Sequence, residues 1–134
     1  MLAVRQQPAA RPFQLIFCPV NLTEVGESAL EYAVEIAKAA ASHLTVLHAV
    51  ETGEKPLNCP LVGEEIKQHC KVEEITTHGS AARTILEASS RLRPDLIVMG
   101  AERKSALAAE LFSSTTASVM QWADAALLIV PKNH

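Results

Sequence analysis

The sequence is poor in aromatic residues, in cysteine and in long hydrophobic runs, and each shortage argues against a class of protein. Of its 134 residues 4% are aromatic and three are cysteine, with no CxxC pair. An odd cysteine count without that spacing argues against a disulfide framework and a zinc site, and it favours a reducing compartment. No apolar run approaches the roughly 18 residues that span a bilayer. We therefore expect a cytoplasmic protein with no membrane segment and no bound metal.

Positive charge is also scarce. Twelve Lys and Arg residues stand against 15 Asp and Glu, which gives a net charge of −3. Nucleic-acid recognition uses a positive surface to neutralise phosphates, so we expect no nucleic-acid partner. Hydrophobic residues, in contrast, make up 49% of the chain. That share and this length predict one domain that folds without disulfides or metal.

The first twelve residues contain Pro8 and Pro12 and show no apolar periodicity, so we expect residues 1–12 to form a flexible leader. The rest of the chain, residues 13–134, alternates strands with amphipathic helices. The predicted strands are the apolar or β-branched stretches 13–20, 43–50, 71–77, 95–100 and 126–130. Apolar residues at three- and four-residue steps predict helices between them, near residues 23–41, 80–93 and 113–123. The remaining crossover, residues 52–69, is interrupted by Gly and Pro, and only residues 64–70 can form a helical turn or two.

This alternation predicts a parallel sheet covered on both faces, because each parallel connection needs a right-handed crossover. Strand 71–77 carries polar residues and suits an edge, whereas strands 13–20 and 95–100 are the most continuously apolar and suit the centre. We predict an α/β domain with a doubly wound five-stranded parallel sheet of order 3-2-1-4-5 and helices on both faces. In that order the chain reverses between the first and fourth strands, and ligands bind at the carboxyl ends of the strands that flank such a switch point.

The last predicted strand, Ala126 to Val130, ends this sheet and is wholly apolar. An exposed apolar edge invites pairing with another strand. We therefore expect the same strand of a second chain to cover it, which makes the protein a homodimer through Ala126–Val130.

The segment after the fourth strand combines groups that suit an anion. Gly100 is followed by Arg103 and Lys104, and then by four hydroxyl residues, 113–116, at a predicted helix start. Free backbone N–H groups, hydroxyls and two cations can together hold a phosphate. The same hydroxyls can equally cap the helix while both cations stay solvated, and the spacing alone does not decide between these interpretations.

The chain resembles the universal stress protein family from about Leu15 to Pro131. The segments that carry this resemblance are Cys18-Pro-Val-Asn-Leu-Thr23, Leu44-Thr-Val-Leu-His-Ala-Val50, Gly79 with Ile85, Asp95-Leu-Ile-Val-Met-Gly100 and Ala126-Leu-Leu-Ile-Val-Pro131. The resemblance implies the universal stress protein or adenine nucleotide alpha hydrolase-like fold, with strand order 3-2-1-4-5. It also implies a dimer formed through the last strand and, in one branch of the family, ATP or AMP bound across the switch point.

The nucleotide-binding branch is marked by an acidic residue after the first strand and by a glycine motif after the fourth. That motif reads Gly, two residues, Gly, nine residues, then Gly and Ser or Thr. Gly100 and Ser114 match it, but Asn21 stands in place of the acidic residue, and Arg103 and Ser113 replace two glycines. The ribose or a metal thereby loses a carboxylate partner, and a Cβ at position 103 obstructs the approach of backbone N–H groups to phosphate. The Arg103 guanidinium can itself meet a phosphate.

The resemblance and these departures predict a stress-response regulatory or interaction module with a degenerate adenine-nucleotide site. The alternative is a functional ATP- or AMP-binding stress protein, with slow nucleotide hydrolysis as a further option. No GxSxG or Walker sequence is present, and we expect no enzyme. If a nucleotide binds, the resemblance implies contacts from Pro19, Val20, Asn21, Val50, Met99, Gly100, Ser113, Ser114 and Thr115. We expect Arg103 as a further contact that is not part of the family pattern.

Overall fold

The computed structural model describes residues 2–3, 13–20, 24–50, 62–101 and 114–131. The helices are α1 (Glu24–Ala40), α2 (Glu64–Lys67), α3 (Ala81–Leu92) and α4 (Ser114–Trp122). The strands are β1 (Leu2–Ala3), β2 (Leu15–Val20), β3 (His43–Val50), β4 (Val72–His78), β5 (Leu96–Ala101) and β6 (Ala126–Pro131). Within these ranges no helix has the length and apolar character needed to cross a membrane.

Five strands form the predicted parallel sheet, in the order β4, β3, β2, β5, β6. Counted along the chain without β1, this is the order 3-2-1-4-5, so the predicted fold class is confirmed. The two most apolar strands, β2 and β5, lie at the centre, because helices cover both of their faces. The partly polar β4 lies at one edge, where alternate side chains reach solvent.

A sixth strand, β1, lies outside β6 and was not expected. Leu2 is level with Leu128 and Ala3 with Leu127, in an antiparallel pairing. Both residues belong to the leader predicted over residues 1–12, whose other members lie outside the described residues. The sheet therefore does not end at β6, because an apolar strand edge pairs with any extended segment that can reach it.

Helix α1 covers one face of the sheet, and α3 and α4 cover the other. Ala29, Ala33 and Ala37 recur at four-residue steps along α1 and are fully buried. They pack in one cluster with alternate residues of β2, including Cys18. Phe17 points to the opposite face and packs with residues of α3 and α4.

Asp95 fixes the register between the two central strands. The backbone N–H of Asp95 donates to the carbonyl oxygen of Leu15 at 2.9 Å, and the Leu15 N–H donates to Oδ2 of Asp95 at 2.8 Å. The strands then run in parallel from Ile16, which is level with Leu96. This register determines which residues meet at the carboxyl ends of β2 and β5.

Candidate functional site

The chain changes direction across the sheet between β2 and β5. From β2 the sheet continues through β3 to β4, and from β5 it continues to β6. The helices that follow these two strands lie on opposite faces, since α1 packs in one core cluster and α4 in the other. In doubly wound sheets such a reversal leaves a crevice at the carboxyl ends of the two strands, where ligands bind. In this sheet that position is at the carboxyl ends of β2 and β5.

The floor of this crevice is apolar. Pro19 and Val20 end β2, and Met99 and Gly100 lie at the corresponding end of β5. Where the two strands pair, their positions differ by 80 residues, as Phe17 does from Ile97. Val20 exposes 7% of its surface and Met99 exposes 4%, and they pack on opposite faces of the sheet. The four predicted residues are thus brought together as a largely buried platform.

Gly100 and Val50 form the margins of this platform. Gly100 is level with Val130 of β6 and is partly exposed. Its lack of a Cβ leaves the backbone there open to close approach by a ligand. Val50 ends β3, two residues beyond His48, which is level with the end of β2 at Val20. The β3 strand therefore extends past β2 and flanks the crevice.

Helix α4 begins at the predicted hydroxyl residue Ser114. Thr115 is partly exposed, whereas Thr116 is 1% exposed and belongs to the interior. The structure thus separates Thr115 from Thr116, whose side chain is turned inward. Backbone N–H groups at a helix start attract anions through hydrogen bonding and the helix dipole. The amino end of α4 can therefore serve a phosphate.

The three departures from the nucleotide-binding pattern, Asn21, Arg103 and Ser113, lie outside the described residues. They were predicted as contacts of a bound nucleotide, and they stay predictions. Among the described members of the predicted site, none carries a formal charge. We therefore expect the positive charge that would meet a phosphate to come from Arg103 and Lys104, which follow Gly100 in the sequence.

His48 is a buried polar residue of β3, close to the platform, and it was not among the predicted site residues. It is 2% exposed, is level with Val20, and interacts with another group of the protein. In the sequence, His48 stands inside a largely apolar strand. A buried histidine in such a position is more often a structural group than a ligand contact.

Cys18 is the thiol that the fold brings into this region, two residues before the end of β2. Burial raises its pKa to about 12. Since the thiolate is the nucleophile, a thiol with so high a pKa is inert at neutral pH. Among the described residues, no group of three His, Cys, Asp or Glu could hold a metal ion.

A separate cavity of about 580 Å³ lies at the opposite end of the sheet, before β5 and β6. It is lined by the carboxyl-terminal parts of α3 and α4 and by the residues that follow them, including Arg93, Trp122 and Asp124. No predicted site residue lines it. The cavity is therefore distinct from the crevice at the switch point.

The fold and the crevice together define a doubly wound α/β domain of the kind that binds ligands at its switch point. The sequence model of the Universal stress protein family matches residues 57–131. That match spans more than half of the chain, which therefore belongs to the universal stress protein family. No curated protein sequence matches the chain significantly.

Solved structures of universal stress proteins share this fold. UspA from Lactobacillus plantarum superposes with a TM-score of 0.69 at 20% identity, covering 89% of this chain and 98% of that one. A universal stress protein in complex with cAMP gives 0.70 at 20% identity, over 91% of this chain and 99% of the other. A family member from Arabidopsis thaliana with AMP bound gives 0.62 at 17% identity, over 90% and 92%.

Proposed function

We propose that this universal stress protein is a stress-response regulatory or interaction module with a degenerate adenine-nucleotide site at the crevice between β2 and β5. It acts in the cytoplasm as a homodimer, by binding rather than by catalysis. The observation that carries this proposal is the coincidence of a retained platform with three altered ligand positions. Pro19, Val20, Met99 and Gly100 lie together, while the residues that would hold ribose and phosphates are changed.

The altered positions act on the polar part of the ligand. Asn21 follows Val20 directly, and an amide there makes weaker hydrogen bonds than the charge-assisted bonds of a carboxylate. At positions 103 and 113 side chains replace glycines, which hinders positive φ and close backbone approach. A lost contact costs about 1–3 kcal/mol. Three such losses lower the affinity by at least about a hundredfold.

The second candidate is a functional ATP- or AMP-binding protein, possible because the site retains Gly100 and Ser114. Thr115 in the first turn of α4 is partly exposed and adds a hydroxyl that a phosphate can reach. The guanidinium of Arg103 can hold a phosphate through two parallel hydrogen bonds. The structures with cAMP and with AMP bound support this candidate at the level of the family fold. A slow hydrolysis of ATP belongs to the same candidate.

Isothermal titration with ATP, ADP, AMP and cAMP distinguishes the two candidates. A degenerate site predicts no binding in the micromolar range. Micromolar binding that Ser114→Ala abolishes would contradict the proposal and establish the second candidate. Ser118→Ala is the matched control, because Ser118 is a partly exposed serine one turn further along α4. Phosphate release from ATP, compared between the native chain and Ser114→Ala, tests the hydrolysis.

The proposed homodimer uses β6, the last of the parallel strands. Leu127 and Ile129 are buried at 3% and 1% exposure, and Leu128 is partly buried, so the strand is apolar on both faces. Pairing of two such strands continues the sheet from one copy into the other. Light scattering at micromolar concentration tests the dimer, and a monomer that Ile129→Lys leaves unchanged would contradict it.

A further inference from the structure

The outer edge of β6 already holds a strand of the same chain. One edge of β6 pairs with β5 along the whole of Ala126–Pro131. The other edge pairs with β1, with Leu2 level with Leu128 and Ala3 level with Leu127. A second copy that adds to the sheet through β6 must therefore approach the edge on which β1 lies.

The two pairings need the same backbone groups. The proposed dimer pairs Ala126–Val130 of β6 with the same segment of a second copy, and a twofold axis between the copies makes this pairing antiparallel. Leu128 is the middle of this segment. Successive residues of a strand direct their N–H and C=O groups to opposite edges, so one of Leu127 and Leu128 directs them outward. A pairing centred on this segment uses the outward groups that β1 occupies.

The connection within the chain gives β1 an advantage over a second copy. Nine residues, 4–12, separate Ala3 from Phe13 at the start of the domain. A short tether produces an effective concentration in the millimolar range, well above a micromolar partner. Yet β1 has two residues, so only two cross-strand pairs hold it to the edge of β6, and each such pair contributes little. The edge is accordingly covered for much of the time and open for the rest.

We infer that β1 is an intramolecular competitor of the second copy for the outer edge of β6, and that it sets the affinity of the homodimer. The inference rests on the dimer proposed above. Both copies must release β1 before their β6 strands can pair. The dissociation constant of the dimer therefore rises with the inverse square of the open fraction, and an open fraction of about one third weakens dimerisation about ninefold.

Sedimentation equilibrium on three chains with a carboxyl-terminal tag tests this inference. The first is the full chain, the second begins at Phe13 after an initiating Met, and the third carries Leu2→Gly/Ala3→Gly. Glycine weakens a strand because it loses the most conformational freedom on ordering. The matched control is Ala9→Gly/Ala10→Gly, which makes the same change elsewhere in the leader. Circular dichroism verifies that each chain is folded. If the chain that begins at Phe13 does not fold, Leu2→Gly/Ala3→Gly tests the inference in its place.

The expected result is that the shortened chain and Leu2→Gly/Ala3→Gly dimerise about ninefold more tightly than the full chain and the control. Equal dissociation constants for all of these chains would overturn the inference and leave the dimer itself intact. Monomers throughout, up to millimolar concentration, would overturn the dimer and the inference with it.

Discussion

Asp95 and Cys18 both lie at the central strands of the sheet. Asp95 makes a polar contact there, whereas Cys18 is enclosed by apolar side chains. The carboxylate of Asp95 accepts the N–H of Leu15. Cys18 is enclosed by the α1 core cluster and has an inert thiol. The sequence predicted both as parts of strands, but a hydrogen bond between residues 80 positions apart follows only from the register.

Replacement of Asp95 by alanine should destabilise the fold, because it leaves the Leu15 N–H without the carboxylate that accepts from it. We expect a loss of about 1–3 kcal/mol in the free energy of unfolding measured with urea. Asp95→Asn keeps an oxygen acceptor and should lose less. The control is Asp124→Ala, an exposed site before β6, with an expected change within about 0.5 kcal/mol. Equal losses at the two positions would contradict the role given to Asp95.

The raised pKa of Cys18 predicts a loss of stability in alkaline solution. The thiol pKa is about 12 in the folded chain against 9.0 in the unfolded chain. The unfolded state therefore releases this proton first, so the stabilisation is complete below pH 9 and declines as the pH rises towards 12. The slope contributed by this thiol reaches at most about 1.4 kcal/mol per pH unit.

Urea unfolding of the native chain and of Cys18→Ala between pH 8 and pH 10.5 measures this contribution. All other titrations are common to the two chains, so their difference in stability isolates the thiol. The stability advantage of the native chain over Cys18→Ala should decline above pH 9. A difference that does not vary with pH would show that Cys18 ionises as easily in the fold as in the unfolded chain.

Among the elements, those with a strong apolar pattern were predictable and β1 was not. The strand β3 agrees with its predicted bounds, 43–50, because a β-branched apolar run is bounded by polar residues. Predicted helices near residues 23–41 and 80–93 correspond to α1 and α3. Two residues carry no periodicity, so the position of β1 depends on the β6 edge that it joins.

The buried alanine residues of α1 allow the helix to pack close to the sheet. We therefore expect a larger side chain on this face to be destabilising. Ala33 is fully buried in the middle of that face, and Ala33→Leu should destabilise the fold by about 1–3 kcal/mol through overpacking. Ala39→Leu is the control, because Ala39 is exposed on the same helix and leucine has a helix propensity close to that of alanine. Thermal or urea unfolding measures both. Similar stabilities for the two variants would contradict close packing of α1 on the sheet.

For the whole molecule, topology predicted where the site lies but not how its ligand-binding atoms are arranged. The reversal between β2 and β5 follows from strand order, and it places the carboxyl ends of these two parallel strands side by side. Three of the residues that would meet ribose and phosphates, Asn21, Arg103 and Ser113, lie outside the described residues. They carry no periodic pattern, so a substitution such as Arg103 is interpretable only through its chemistry.

The central claim, that substitutions on an intact platform weaken nucleotide binding, is tested most directly by reversing them. Isothermal titration with ATP compares the native chain with Asn21→Asp/Arg103→Gly/Ser113→Gly. We predict no micromolar binding by the native chain and a gain in affinity of at least about a hundredfold in the triple variant. Micromolar binding of ATP by the native chain, unchanged in the triple variant, would contradict the account.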